Sequence, residues 1–357
     1  MKFMRMPVAE AGGALLAHSI RISEGSFKKG RMLSGEDISI LRAAGIEKVV
    51  AARLDPDDVS EDVAATQIAE AVGGEGISLN TAFTGRCNLY ANSPGVVVIN
   101  RESIDQINLL DESLTIATLP HCDVVTPKQM VATVKVIPFS VPEEVIEAAK
   151  NVAEHSSHVI KVAPFTAKSV GLILTRLPGT KQSVLANTIK TVRARVETVG
   201  SMLKTSEVLD HDEISIGAAI ERLHSSGCEI ILVSGASAIV DRRDVVPLGL
   251  ESAGGTIDHF GMPVDPGNLL LLGHLGDGDS RTPVLGLPGC ARSPKLNGFD
   301  WVLERLAANL EITSEDIMLM GAGGLLKEIS SRPQPRHDTD VTKKRVRHQP
   351  VVPAILL

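Results

Sequence analysis

From Lys168 onward, β-branched apolar runs alternate with segments whose apolar positions recur every three or four residues. Val170 to Leu174, Met202 to Val208 and Glu229 to Val233 read as strands, and Ser183 to Val199 and Asp212 to His224 as helices. Strand–helix alternation of this kind predicts a parallel sheet covered by helices on both faces. In such sheets ligands sit beyond the carboxyl ends of the strands, where loops present backbone N–H groups and helix N-termini. Chemistry is therefore expected in the loops after Leu174, Val233 and Leu287, the last leading into an apolar helix around Phe299 to Leu310.

Ahead of Lys168 the pattern is different. Ser34 with Asp37 predicts a capping box opening a helix with Ile38, Leu41 and Ala44 on one face and Gly45 as its stop. A strand, Ile46 to Ala51, follows. A second helix is predicted from Glu61 to Val72, capped by Ser60 and ended by Gly73 and Gly74. From Ile77 to Phe139, short runs such as Val96 to Ile99, Leu114 to Ala117 and Met130 to Ile137 are separated by Asn, Asp, Gly and Pro, which predicts a mainly β region. A helix with the stripe Val145, Ile146, Ala149 and Val152 is expected from Pro142 to Glu154, then a linker from Ser156 to Lys168. The segmentation is a small α/β unit at 1–56, a β-rich α+β region at 57–160, a three-layer parallel-sheet α/β domain at 168–318, and a tail at 330–357. That tail is rich in Pro, Arg, Lys and His without periodicity and is expected to be disordered.

Composition narrows the function classes. Of 357 residues, 43% are hydrophobic but only 3% aromatic, so aliphatic packing must supply the core. A net charge of −7 disfavours general nucleic-acid affinity, which needs clustered cations, and the one basic cluster, Lys343, Lys344, Arg345 and Arg347, falls in the tail. No apolar run approaches the ~20 residues of a membrane span. Pro7, Glu10 and the pair Gly12 and Gly13 interrupt any signal-peptide core, so a cytoplasmic chain is expected. Cys87, Cys122, Cys228 and Cys290 form no CxxC pair, and reduced thiols follow.

The loop after Val233 reads Ser234-Gly-Ala-Ser237-Ala-Ile-Val-Asp241-Arg-Arg-Asp244-Val-Val-Pro247. Small residues let a ligand approach the backbone, and hydroxyls with N–H groups suit an anion. Its aspartates could equally cap or solvate an ordinary connection. The loop after Leu287, Pro288-Gly289-Cys290-Ala-Arg292-Ser293-Pro294, again offers a ligand-facing turn. Near a helix N-terminus the Cys290 thiol would be acidified, reactive or a metal ligand; the alternative is a small residue where size matters. Val264-Asp265-Pro266-Gly267-Asn268 is a turn entering a strand at Leu269 to Leu272. His121, Cys122 and Asp123, read as strand neighbours, would point to opposite faces and not converge on a metal. His155 and His158 read as surface histidines, Glu143, Glu144 and Glu147 as a solvated face, and Gly276 to Asp279 as a hairpin turn.

The order SGAS…RRDVVP, HFGMPVDPGN, GLPGCARS, over roughly Lys168 to Asp316, resembles the molybdopterin-binding domain of proteins of the MogA, MoeA and gephyrin type. Gly25 to Leu54 and ATVKVIPF, Ala132 to Phe139, are similar to MoeA-like proteins and to the molybdopterin-binding half that some bacteria fuse ahead of a nucleotidyltransferase. The resemblance implies molybdopterin or the molybdenum cofactor as ligand, a role in molybdenum-cofactor biosynthesis, and a homo-oligomer. It also implies a separate nucleotidyltransferase or molybdoenzyme as partner, and magnesium with ATP where transfer is retained. It places ligand contacts at Thr175, Ser234, Gly235, Ala236, Ser237, Pro266, Gly267, Asn268, Pro288, Gly289, Cys290 and Ser293, and catalytic, magnesium-holding roles at Asp241 and Asp244. Three departures matter. Thr175 to Lys181 replaces an acidic sequence; Ala236 and Asn268 replace a glycine and a lysine; and Cys290, Ala291 and Arg292 intervene before Ser293 and Pro294. Magnesium needs carboxylates, so the first departure bears on transfer, while Arg176 and Lys181 become candidates for a phosphate. Nucleotidyl or molybdenum transfer, a non-catalytic carrier or sensor, and a nucleotide-derivative hydrolase are the readings this leaves.

Overall fold

A computed structural model of the chain describes residues 1–23 and 25–326, so the predicted tail lies outside the described residues. In the C-terminal half, strands apolar on both faces must be covered on both. The sheet there has six strands, in the order Met202–Asp210, Ser169–Arg176, Ile230–Ser234, Thr282–Gly286, Leu271–Leu275, Thr256–Phe260. The first four run parallel, and the last two add antiparallel at the edge. Strand alternation sorts the core: Val170, Leu172 and Leu174 pack with Leu185, Val192 and Val196 of helix Gln182–Thr198 and with Phe299, Val302 and Leu303 of helix Gly298–Ala307. Ile173, Ile231 and Val233 face the other way, onto helices Glu213–Ser225 and Val245–Ser252. The result is the mixed α/β, three-layer arrangement that the sequence predicts.

Most predicted elements recur within two or three residues. The capping box at Ser34 and Asp37 forms, with Arg31 bonded to the Asp37 carboxylate at 2.8 Å and burying it. Gly276 to Asp279 lies in the connection between the antiparallel strands Leu271–Leu275 and Thr282–Gly286, a hairpin as expected.

Four local expectations are corrected. Ser60 occupies the N-cap of helix Glu61–Val72 without making a side-chain capping bond. The region read as mainly β contains a helix, Arg101–Asn108, whose Asn100 cap accepts from Ser103 N and which buries Ile104 and Ile107. The expected linker contains a strand, Ile160–Pro164, pairing antiparallel with Gly95–Ile99. Cys122 lies in a turn at φ +64°, not in a strand, so its Sγ comes within 3.0 Å of His121 Nε2. Among the described residues, no group of three His, Cys, Asp or Glu could hold a metal ion. Among them, too, no helix is long and apolar enough to cross a membrane.

Candidate functional site

The four parallel strands end on one edge of the sheet at Arg176, Asp210, Ser234 and Gly286. After Arg176 the chain turns tightly: Thr180 N donates to Leu177 O and Leu177 N to Thr180 Oγ1, both at 3.0 Å, with Gly179 at φ +86°. Opposite stands Asp210-His211-Asp212, drawn in by Arg176 Nε donating to Asp210 Oδ1 at 3.1 Å. Between the two segments opens a cleft of about 530 Å³ walled by Arg176, Thr180, Asp210 and His211. Beneath it, sharing Thr180, a pocket of about 80 Å³ is lined by Thr175, Ser234, Ala236, Arg292 and apolar residues of helix Gln182–Thr198. A larger cavity, about 630 Å³, opens on the opposite edge of the sheet between Lys168, His224, Glu229 and His274. None of the predicted site residues lines it.

A chain of hydrogen bonds joins three of the strand ends. Thr175, only 2% exposed, accepts the Ala236 N–H on Oγ1 at 2.7 Å and lies 2.8 Å from His211 Nδ1. His211 Nε2 lies 2.8 Å from Ser237 Oγ. Hydrogen bonds from Ser215 hold the neighbouring Asp212 carboxyl below its usual range, and the charge of His211 adds to them. A Cβ on Gly235 would stand 3.0 Å from Ser237 O and 3.2 Å from Val246 Cγ2, tight contacts that the loop would have to yield to. Arg292 donates to Gly235 O, tying the loop after Gly286 to the loop after Ser234.

The Pro288–Ser293 turn is held from behind. Arg195, in the last turn of helix Gln182–Thr198, binds the Asp300 carboxylate and the carbonyls of Ser293 and Lys295. Arg195 and Asp300 are each 9% exposed, and Asp300 also closes a capping box with Asn297 at the start of helix Gly298–Ala307. At its other end, the 17-residue helix Gln182–Thr198 has Lys181 at the N-cap, no side-chain capping bond and no acidic residue in its first turn. Its positive end therefore faces the small pocket uncompensated. Cys290 sits half-buried on the short 3₁₀ turn Gly289–Arg292, with Pro288 buried at its N-cap and Gly289 exposed.

Of the predicted residues, the structure brings together Thr175, Ser234, Gly235, Ala236 and Ser237; Pro288, Gly289, Cys290 and Ser293 lie on or beside the turn that Arg292 ties to Gly235 O, and none of these four lines the small pocket. Pro266, Gly267 and Asn268 lie on the same edge but bond elsewhere: Pro266 O accepts from Gly298 N, and Asn268 O accepts from Met262 N. Asp244 acts as a cap, Oδ1 accepting from Val245 N at 2.8 Å and Oδ2 from Val240 N at 3.1 Å. Asp241 Oδ1 accepts from Arg243 N at 2.8 Å. Arg176, a candidate for phosphate, is paired with Asp210. His211, Arg195, Arg292 and Thr180 are residues of the site that the sequence reading did not assign to it. His211 carried a usable signal, since it directly follows a parallel strand; Arg195 carried none, its partners lying about a hundred residues away.

A domain of unknown function (DUF8806) matches residues 5–53, ahead of the site. No curated protein matches the chain. Among solved structures, the tungsten cofactor synthesizing protein MoaB from Pyrococcus furiosus aligns at 14% identity over 40% of this chain and 92% of its own, with a TM-score of 0.28. A protein from Corynebacterium diphtheriae, described as a molybdenum cofactor biosynthesis protein, aligns at 12% identity over 43% of this chain and 99% of its own, with a TM-score of 0.29.

Proposed function

We propose that this chain binds molybdopterin, or the molybdenum cofactor built on it, by its phosphate at the carboxyl edge of the parallel sheet, and passes it on without magnesium-dependent transfer. One observation carries the reading. The small pocket is lined by Arg292, Thr175, Thr180 and residues in the first turns of a 17-residue helix without a side-chain N-cap bond, and no acidic residue lines it. Such a pocket favours a phosphate and repels nothing about it. That the phosphate belongs to a pterin is supported by the order of the three loop motifs, and the adjoining 530 Å³ cleft would take the ring system.

Carriage is favoured over transfer by the carboxylates. The turn after Arg176 holds none, and both oxygens of Asp244 are engaged by backbone N–H groups. A separate nucleotidyltransferase or a molybdoenzyme would be the receiving partner. Calorimetric titration with molybdopterin, in EDTA and then with magnesium and ATP, tests this. Equal affinity in both is expected. Binding that requires magnesium would make Asp241 and Asp244 the metal ligands of a transferase, and absence of binding would remove the pterin reading.

A further inference from the structure

Phosphate binding leaves the hydrogen-bonded chain through His211 unexplained. Both of its ring nitrogens are engaged, Nδ1 by Thr175 Oγ1 and Nε2 by Ser237 Oγ, each at 2.8 Å. Thr175 is buried at the end of a central strand and already accepts one N–H, from Ala236. Its second lone pair can accept the Nδ1 proton, which leaves the Nε2 lone pair facing the Ser237 hydroxyl. A hydroxyl, an imidazole within hydrogen-bond reach and a third group fixing the imidazole are the parts of an activated nucleophile. Ser237 is exposed, as a nucleophile must be, whereas His211 is half-buried on the wall of the 530 Å³ cleft.

We propose that Ser237 and His211 form a nucleophile–base pair that hydrolyses carboxylic esters carrying an anionic group. Three features favour that chemistry. The N–H groups of Ser237 and Ala238 make no hydrogen bond to a described residue, and donors beside a nucleophile suit the single oxyanion of a tetrahedral intermediate. Asp212, next to His211 and held ionised by hydrogen bonds from Ser215, would set a negative charge beside the imidazolium that forms in the reaction. The carboxylate-free pocket next to Thr175 receives the anionic group of the substrate. In the reaction, Ser237 Oγ attacks the ester carbonyl carbon while its proton passes to His211 Nε2. The bond to the alcohol oxygen then breaks, and His211 returns the proton to the departing alkoxide, leaving an acyl–serine. Water adds to that ester through the same base, releasing the acid and restoring the serine.

The full chain, treated with a fluorophosphonate probe and mapped by peptide mass spectrometry, tests the pair without any pterin present. One adduct is expected, on Ser237, absent in Ser237→Ala. His211→Gln should slow labelling, and hydrolysis of p-nitrophenyl butyrate, by about a hundredfold, the lower end of what a positioned base contributes. Thr175→Val should slow both by a smaller factor while Thr175→Ser restores them, which separates a positioning role from a general loss of structure. Failure to label Ser237 in the folded wild-type chain, or labelling of His211→Gln at the wild-type rate, would overturn the proposal.

Discussion

Single side chains decide how close a ligand can come to the backbone at this edge. Gly235 is the clearest case: with no Cβ it lets the loop fold back on Ser237 O and Val246. Gly235→Ala should push the loop outward, lowering molybdopterin affinity roughly tenfold, about 1.4 kcal/mol, with little change in melting temperature. Calorimetry beside a thermal melt checks this, and unchanged affinity would detach Gly235 from the site. The small residues of this loop were legible because a strand followed by Ser, Gly and Ala announces a close backbone approach. His211 was not. Strand Met202–Asp210 lies at the sheet edge with polar Thr205, Ser206 and Glu207 in its middle, which blurs its hydrophobic pattern, and the parallel register, Thr175 opposite Leu209, puts the residues after it beside the site.

Between elements, the site depends on one long cation. Arg195 links helix Gln182–Thr198 to the loop carrying Pro288 to Ser293 and to the capping box of helix Gly298–Ala307. Removing one member of a buried ion pair leaves the other without compensation. Arg195→Met should therefore destabilise the protein by about 3–5 kcal/mol in urea unfolding. Arg195→Met with Asp300→Leu should recover part of that loss, because the orphaned carboxylate is gone too. A loss below about 1 kcal/mol in the single variant would mean that the pair acts as an exposed one. Helix and strand periods predicted the three layers because both faces of the sheet are buried. The eight-residue helix Arg101–Asn108 escaped, since two apolar positions, Ile104 and Ile107, are too few to establish a period.

At the scale of the molecule, the β-rich region meets the α/β sheet domain where Val96, Val98 and Ala163 pack on Ala308. Close by, burial first and Asp300 second push the Glu304 carboxyl up to about 8. An unfolded chain releases that proton near the ordinary carboxyl value, whereas the folded one keeps it until about pH 8. Glu304 thus makes stability decline as pH rises between those limits and adds no further slope above them. His121, His158 and His259, held down by burial, act in the opposite sense, raising stability as pH rises through the ordinary histidine range. The difference between wild type and Glu304→Gln isolates the carboxyl. The variant should gain melting temperature relative to wild type progressively from pH 5 to pH 8, and a constant difference would contradict the assignment.

The same sheet carries cavities on both edges, and the larger one is not where the loop motifs converge. The most direct test is therefore molybdopterin affinity measured for wild type, Arg292→Ala and His274→Ala, one substitution at each edge. Binding at the carboxyl edge predicts roughly a tenfold or greater loss in Arg292→Ala, about 1.4 kcal/mol or more, and none in His274→Ala. Loss in His274→Ala with Arg292→Ala unaffected would place the ligand in the amino-edge cavity and contradict the account.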